Sequence, residues 1–377
     1  MHVPTSSETI RIVQPGTFTT VQDLGRYGYQ RYGVPVSGAM DEFALRAANA
    51  LLGNPENAAV LETTLSGPYI KFLKNTWIVI TGADLSPSIN GDPIPRWETL
   101  EVTNGSELRF GERRDGLRSY LAIAGGIDVP VIMGSRSTYM KASIGGLAGR
   151  TLLASDVLST SSESTKVTKL GLPTGYRSPV YGGRHTIRVI LGPQQDLFDE
   201  HGITTLLGSR YTISENSDRI GYRLEGPKIS HFKNADIVSD GNPHGAIQVS
   251  GDGNPTILLS DRGTTGGYAK IATVISVDLG KLAQALPGQS IGFESVTLEH
   301  AHDILREQKA AINAISAQRS TPVRVVVNGA PVEVHGENGE VVATNSISEG
   351  SHVERRKARA TVGSEIFDFN VDVQNPT

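Results

Sequence analysis

Cysteine is absent from this 377-residue chain. That gap excludes disulfides, a thiol nucleophile, iron–sulfur clusters and cysteine zinc sites. No excess of one charge exists either: 35 Lys and Arg against 39 Asp and Glu leave a formal charge of −4, so nothing marks a nucleic-acid footprint. No apolar run approaches the roughly 20 residues needed to span a bilayer. The opening Met1–Glu8 has neither a basic start nor an apolar core, so no signal peptide is expected and a cytoplasmic location is. Also missing are a Gly-x4-Gly-Lys-Ser/Thr phosphate loop, a strand-linked Gly-x-Gly-x-x-Gly and a Gly-x-Ser-x-Gly elbow. The histidines are scattered without zinc spacing, so no metal is expected. His300 and His302, two apart on an expected helix, point to different sides and read as surface residues.

What is present reads as β structure. The 42 glycines and 19 prolines suit many short strands and turns. β-branched and aromatic runs alternate with polar residues at 9–13, 76–81, 107–110 and 120–124, and again at 186–191, 256–259 and 271–276. Helices are expected from Ser37–Asp41 to Leu52, with Gly53 as the C-terminal cap, over Asp278–Leu286, and over Thr297–Ala317. The Ser/Thr-rich and then Gly/Pro-rich stretch 159–184 reads as a linker or long loop between a first β domain, 9–158, and a second, 185–317. Residues 318–377 form an extra tail. In it, Val323–Val334 reads as a hairpin turning at Asn328-Gly329, and the charged Glu354-Arg355-Arg356-Lys357 as a flexible segment.

The densest chemistry lies in Asp261-Arg262-Gly263-Thr264-Thr265-Gly266-Gly267-Tyr268-Ala269-Lys270, between two apolar runs. Glycines allow a backbone to approach a ligand closely, and Arg262 and Lys270 place charge where a carboxylate, phosphate or oxyanion would sit. Four further clusters share this character: Gln22-Asp23-Leu24-Gly25-Arg26, Gly33–Asp41 with Ser37 at a helix start, Gly134-Ser135-Arg136-Ser137-Thr138-Tyr139, and Ser217-Asp218-Arg219. Singly, each has a plain structural explanation: a hairpin with charged edges, an Asp–Arg bridge, a helix cap or a solvated strand face. Together, in a chain without other catalytic machinery, they suit a site that holds a small polar or anionic molecule.

These clusters, with Leu224-Glu225-Gly226-Pro227, Gly245-Ala246-Ile247-Gln248-Val249 and Thr264-Thr265-Gly266-Gly267-Tyr268, closely resemble the signatures of one family over about residues 10–317. It is the biotin-dependent carboxyltransferase-domain family, also called allophanate hydrolase subunit 2 or Kip-antagonist-like, which includes the C subunit of 5-oxoprolinase. The resemblance implies two cyclophilin-like β-barrel domains. It also implies one of two chemistries. One is ATP-dependent hydrolysis of 5-oxoproline to glutamate with a Kip-inhibitor-like and a lactam-utilisation-like subunit. The other is carboxyl transfer from carboxybiotin, on a separate biotin carrier and carboxylase, to urea or another small amide. A third reading is a regulatory binding subunit without turnover.

In either chemistry the site must stabilise negative charge on an unreactive amide. Lys270, Arg136 and Arg219 are candidates for that role, with Asp218 or Asp23 to handle a proton or fix an arginine. Gln22, Asp23, Arg26, Ser37, Gln248, Arg262, Thr264, Thr265 and Tyr268 are candidates for binding the substrate. The tail resembles the lead-in to a biotin-carrier domain but lacks the Ala-Met-Lys-Met acceptor. No covalently held cofactor is therefore expected; ATP would be used by the complex, or carboxybiotin supplied by a partner.

Overall fold

Asp41 shows how local sequence builds this fold. Its carboxylate caps helix α1 (Glu42–Leu52) by accepting the Ala44 amide at 3.1 Å, and Gly53 closes the other end with φ at 69°. The computed structural model describes residues 7–161, 167–183 and 185–319, together with the backbone of the strands between Val323 and Gln374. The chain divides into two compact units, Met1–Ile312 and Asn313–Thr377.

The first unit is mainly β, as expected, and has two halves. In the first half, a seven-stranded sheet runs Ile127–Asp128, Val157–Thr160, Ser7–Gln14, Tyr69–Phe72, Glu107–Phe110, Pro87–Ile89, Asp92–Pro93. A five-stranded sheet runs Phe18–Gln22, Val60–Thr64, Asp115–Ile123, Thr76–Asp84, Leu100–Val102. Ile10, Ile12, Ile70 and Phe72 of one sheet and Leu61, Ile78, Ile80 and Leu121 of the other fill a common core. The second half is a closed seven-stranded barrel in the order His185–Leu191, Lys270–Val274, Ala246–Val249, Pro255–Leu258, Gly221–Glu225, Arg210–Ile213, Ser290–Ser295. Its neighbours are antiparallel except at the closure, where the first and last strands run parallel. Closure leaves no open edge.

Two features of this unit differ from the sequence reading. The runs flanking Asp261–Lys270 are not a hairpin, because strand Ala246–Val249 lies between them in the barrel. The loop thus crosses a barrel end, and its middle, Thr265–Tyr268, pairs with Asp236–Gly241 as a separate two-stranded ribbon. Helix α2 (Glu200–Gly208), capped by Asp199, is an element that the sequence reading does not include. Helices α3 (Ser276–Ala283) and α4 (Leu298–Ala317) lie close to their expected places. Residues 167–183 hold no regular element but are packed: Tyr181 donates its amide to Asp115 at 2.8 Å and its hydroxyl to Asp41 at 3.3 Å. This is the long-loop alternative.

In the second unit, Val323–Val327 pairs with Ala330–Glu337 as expected; the turn residues Asn328 and Gly329 lie outside the described residues. The charged stretch expected to be flexible is instead part of strand Val353–Val362, paired with Glu365–Gln374. The reason is visible in the letters. Phe367, Phe369, Val371 and Val373 alternate with polar residues, and the register sets Arg355 opposite Asp372 and Arg359 opposite Asp368.

The two halves of the first unit meet through buried polar groups. Arg219, from the barrel, donates Nε to Asp261 at 2.9 Å, Nη2 to the Gly38 carbonyl at 2.6 Å and Nη1 to Glu62 of the five-stranded sheet. Glu62 also accepts the Met40 amide at 2.8 Å and the Tyr120 hydroxyl at 2.9 Å. Gln284, just past α3, satisfies both ends of its amide across the seam: Oε1 accepts the amides of Leu117 and Arg118, and Nε2 donates to Asp41 and to the Arg118 carbonyl. Gly280 is small where a Cβ would come within 2.8 Å of the Asp41 carboxylate.

Removing one partner of such a buried pair strands the other. Glu62→Leu is expected to lower unfolding stability by about 3–5 kcal/mol, measured from urea denaturation midpoints at pH 7.

Candidate functional site

The expected site residues fall into two neighbouring groups and one outlier. The first group lines the seam. Asp23, buried, accepts the Gly25 amide at 2.8 Å, the Ser135 hydroxyl at 2.7 Å, the Arg136 amide at 2.6 Å and the Ser137 hydroxyl. Its carboxylate therefore organises two loops and is fully occupied. Arg26 is 0% exposed; Nε donates to the Ile132 carbonyl and Nη2 to that of Ser137, while Nη1 has no partner. Burial, opposed by Asp23 and Asp261, lowers the Arg26 pKa. Ser37 holds φ at 57°, donates its amide to Ser260 at 3.0 Å, and keeps a buried, unpartnered Oγ. Gln22 donates Nε2 to Thr20 and to the Thr138 carbonyl, with a buried Oε1 left over.

Three arginines in this group have settled structural work. Arg219 uses its donors on Asp261, Glu62 and Gly38. Despite the opposing cost of burial, Asp261 and Glu62 raise its pKa. It holds the frame rather than meeting a ligand. Arg136 is turned to the Val129 carbonyl at 3.1 Å and Asp128 at 3.3 Å. Arg262 donates Nε to the Asn242 carbonyl at 2.8 Å and Nη1 to that of Leu259, and burial lowers its pKa. Asp218 stands apart: exposed, it caps its own turn by accepting the amides of Ile220 and Gly221.

The second group sits on the barrel beneath the ribbon. Lys270 is 0% exposed, and its Nζ makes no hydrogen bond; the nearest carboxylate, Asp240, is 3.7 Å away and 57% exposed. A buried polar group left in this state calls for a ligand or another explanation. Gln248 is the register partner of Lys270 and donates Nε2 to Asn242 at 3.0 Å. Asn242 joins the two groups, because its carbonyl holds Arg262 while its side chain holds Gln248 and the Gly263 carbonyl. Thr264 accepts the Asn242 amide, and Thr265 begins the ribbon, exposed. Gly266 allows the ribbon to lie on these amides: a Cβ there would come within 2.6 Å of Gln248 and 2.9 Å of Asn242. Tyr268, 45% exposed, joins Gln248 on the wall of a cavity of about 460 Å³.

The family defined as carboxyltransferase domain, subdomain A and B, matches residues 32–295. The chain belongs to this family. It is 37% identical over 300 residues to the C subunit of the Escherichia coli 5-oxoprolinase, covering 80% of this chain and 95% of that protein. It is 36% identical to the urea amidolyase of Lachancea kluyveri, covering 81% of this chain but 18% of that one. The solved Kluyveromyces lactis urea amidolyase superposes on 88% of this chain with a TM-score of 0.78 at 31% identity, and this chain corresponds to 22% of that polypeptide. Both carboxyltransferase subdomains thus fall within the first unit.

Among the described residues no cluster of His, Asp and Glu is placed to hold a metal ion, and no helix is long and apolar enough to cross a membrane. Sequence reasoning does not single out Glu62, Arg118, Asn242 or His244. Glu62 carries a usable signal, a lone carboxylate inside the otherwise uncharged, largely buried strand Val60–Thr64. Asn242-Pro243 reads only as a turn.

His244 lies beside Arg262 and Arg219. Burial first, then the two guanidiniums, push its pKa down to about 3. The folded protein therefore keeps His244 neutral at pH values where the unfolded chain protonates it. The resulting stability is complete above the ordinary histidine pKa of about 6.5 and is lost as pH falls from there toward 3, by at most about 1.4 kcal/mol per pH unit. His244→Gln should flatten the stability–pH curve over that window, as measured by urea unfolding at pH 7, 6 and 5.

Proposed function

We propose that this chain is the carboxyltransferase-type subunit of an ATP-dependent 5-oxoprolinase that opens 5-oxoproline to glutamate together with partner subunits. The observation that carries this reading is extent. The chain aligns with 95% of the free-standing C subunit of the E. coli 5-oxoprolinase, but with 18% of a urea amidolyase. The partners we propose are a Kip-inhibitor-like and a lactam-utilisation-like subunit. ATP is consumed by the assembled complex, with the nucleotide held by a partner, since this chain has no phosphate-cradling loop. Dependence on ATP also argues for the cytoplasm.

The residues support the chemistry as follows. A lactam resists water because its nitrogen lone pair is delocalised onto the carbonyl. Activation and opening put negative charge on that oxygen, and a fixed cation in a dry site lowers the barrier most. Lys270, buried and without a hydrogen bond, is the group we assign to this role. Gln248, with Thr264 and Thr265 close by, orients the amide. Arg219 and Asp23 act as positioning residues that hold the seam loops, and Arg262 adds positive charge behind Asn242.

The structural likeness to the urea amidolyase, with its TM-score of 0.78, favours a second reading: carboxyl transfer from carboxybiotin on a partner to a small amide. The same cation would serve it, because the transferred carboxylate also concentrates negative charge.

The deciding assay is ATP-dependent glutamate release from 5-oxoproline by the chain mixed with the products of its neighbouring genes, run with and without the chain. Release that requires the chain supports the reading. Release without it, or turnover of urea with carboxybiotin in its place, overturns it. Lys270→Met should lower kcat by about 10²–10³-fold in a complex that assembles and melts like the wild type.

A further inference from the structure

Four adjacent barrel strands carry a row of polar residues. Arg223 is paired with Thr256, Thr256 with Gln248, and Gln248 with Lys270. Residues opposed across paired strands share a face, and the alternating Tyr222, Leu224, Ile247 and Ile257 fill the barrel core, so this row lies on the outer face. At about 4.8 Å between strands, the row spans roughly 14 Å. Arg223, Thr256 and Gln248, with Tyr268 of the ribbon, line the cavity of about 460 Å³, a size suited to a small molecule. The two ends of the row differ. Lys270 is buried beneath the ribbon, its Nζ without a hydrogen bond and 3.7 Å from Asp240, whereas Arg223 is exposed and its guanidinium makes no hydrogen bond among the described residues. Of the acidic residues on the wall, Asp252 is occupied by Ser250 at 2.6 Å and Asn254 at 2.6 and 3.2 Å, and Glu225 follows Arg223 two residues along the strand.

We infer that this groove is the substrate subsite and that Arg223 selects a cyclic amide bearing a carboxylate. Asn242 takes one N–H of Gln248, leaving Oε1 and the second N–H to pair with the ring amide. The ring carbonyl then faces the end of the row where Lys270 lies buried behind Gln248 and outside the cavity wall, the ring lies against Tyr268, and the carboxylate meets the Arg223 fork. Urea offers the amide and no anion, so Arg223 adds nothing to its binding. The inference rests on the oxoprolinase reading and supplies the residue that separates the two substrate classes.

The test is equilibrium titration of the full chain with 5-oxoproline, with 2-pyrrolidinone (the same ring without the carboxylate) and with urea. Arg223→Gln and Arg223→Lys are titrated in parallel, each first shown to melt like the wild type. Wild-type chain should prefer 5-oxoproline over 2-pyrrolidinone by about 10- to 100-fold. Arg223→Gln should abolish that preference and Arg223→Lys restore most of it. Absence of binding by the wild type, equal binding of both rings, or a preference that survives Arg223→Gln overturns the inference. Because the readout is binding, it is separable from turnover. Glutamate release with no Arg223-dependent preference removes the groove and leaves the oxoprolinase reading. An Arg223-dependent preference without glutamate release does the reverse.

Discussion

Arg219 is the interaction on which the rest depends. One guanidinium, buried where the barrel meets the five-stranded sheet, binds Asp261 at the start of the glycine-rich loop, Glu62 in the sheet, and the Gly38 carbonyl ahead of helix α1. Charges this deep are tolerated only if their donors and acceptors are matched. Satisfying Arg219 therefore fixes, at the same time, the loop that leads to Lys270 and the segment that carries Ser37. An apolar seam would hold the halves together just as well, but it would not set the register between these two loops. Directional bonds do so.

With the frame fixed, the site can be built from parts that contribute little to stability. The ribbon Asp236–Gly241/Thr265–Tyr268 is two-stranded, and much of it is exposed. A lone two-stranded ribbon is marginal in water. Gly266 lets it rest on the Gln248 and Asn242 amides, and in doing so it covers Lys270. A rigid barrel face below and a weakly held ribbon above suit a site that must admit a small ligand and then exclude water.

Much of this is readable in the letters, and the limits have physical causes. Periodicity marks the strands and α1, because a two-residue or 3.6-residue repeat is a local property. The Asp261–Lys270 loop and the Gln248 motif stand out because cations, hydroxyls and glycines crowd together there. Strand order is what the letters do not carry. Nothing local says that Ala246–Val249 inserts between the runs flanking that loop, and this insertion sets Gln248 beside Lys270. Nor does a local pattern separate a structural arginine from a binding one. Arg219 and Arg223 lie four residues apart on the same segment, yet one is enclosed by two carboxylates and the other lines a cavity with no side-chain hydrogen bond among the described residues.

That contrast bears on how one carboxyltransferase fold serves relatives named for 5-oxoproline and for urea. The groups proposed to stabilise charge on an amide oxygen, Lys270 and Gln248, sit on barrel strands, and Asn242 is hydrogen-bonded to the loop that Arg219 pins, so the frame sets their positions. The far end of the groove is carried by exposed side chains on a strand whose alternate residues already secure it in the core. If the groove is the subsite proposed, substitution at such a position alters what it accepts at little cost to folding. On the proposed assignments, amide activation is tied to the fold and substrate choice is not, which is the separation a family needs if it is to keep one chemistry while changing its substrate.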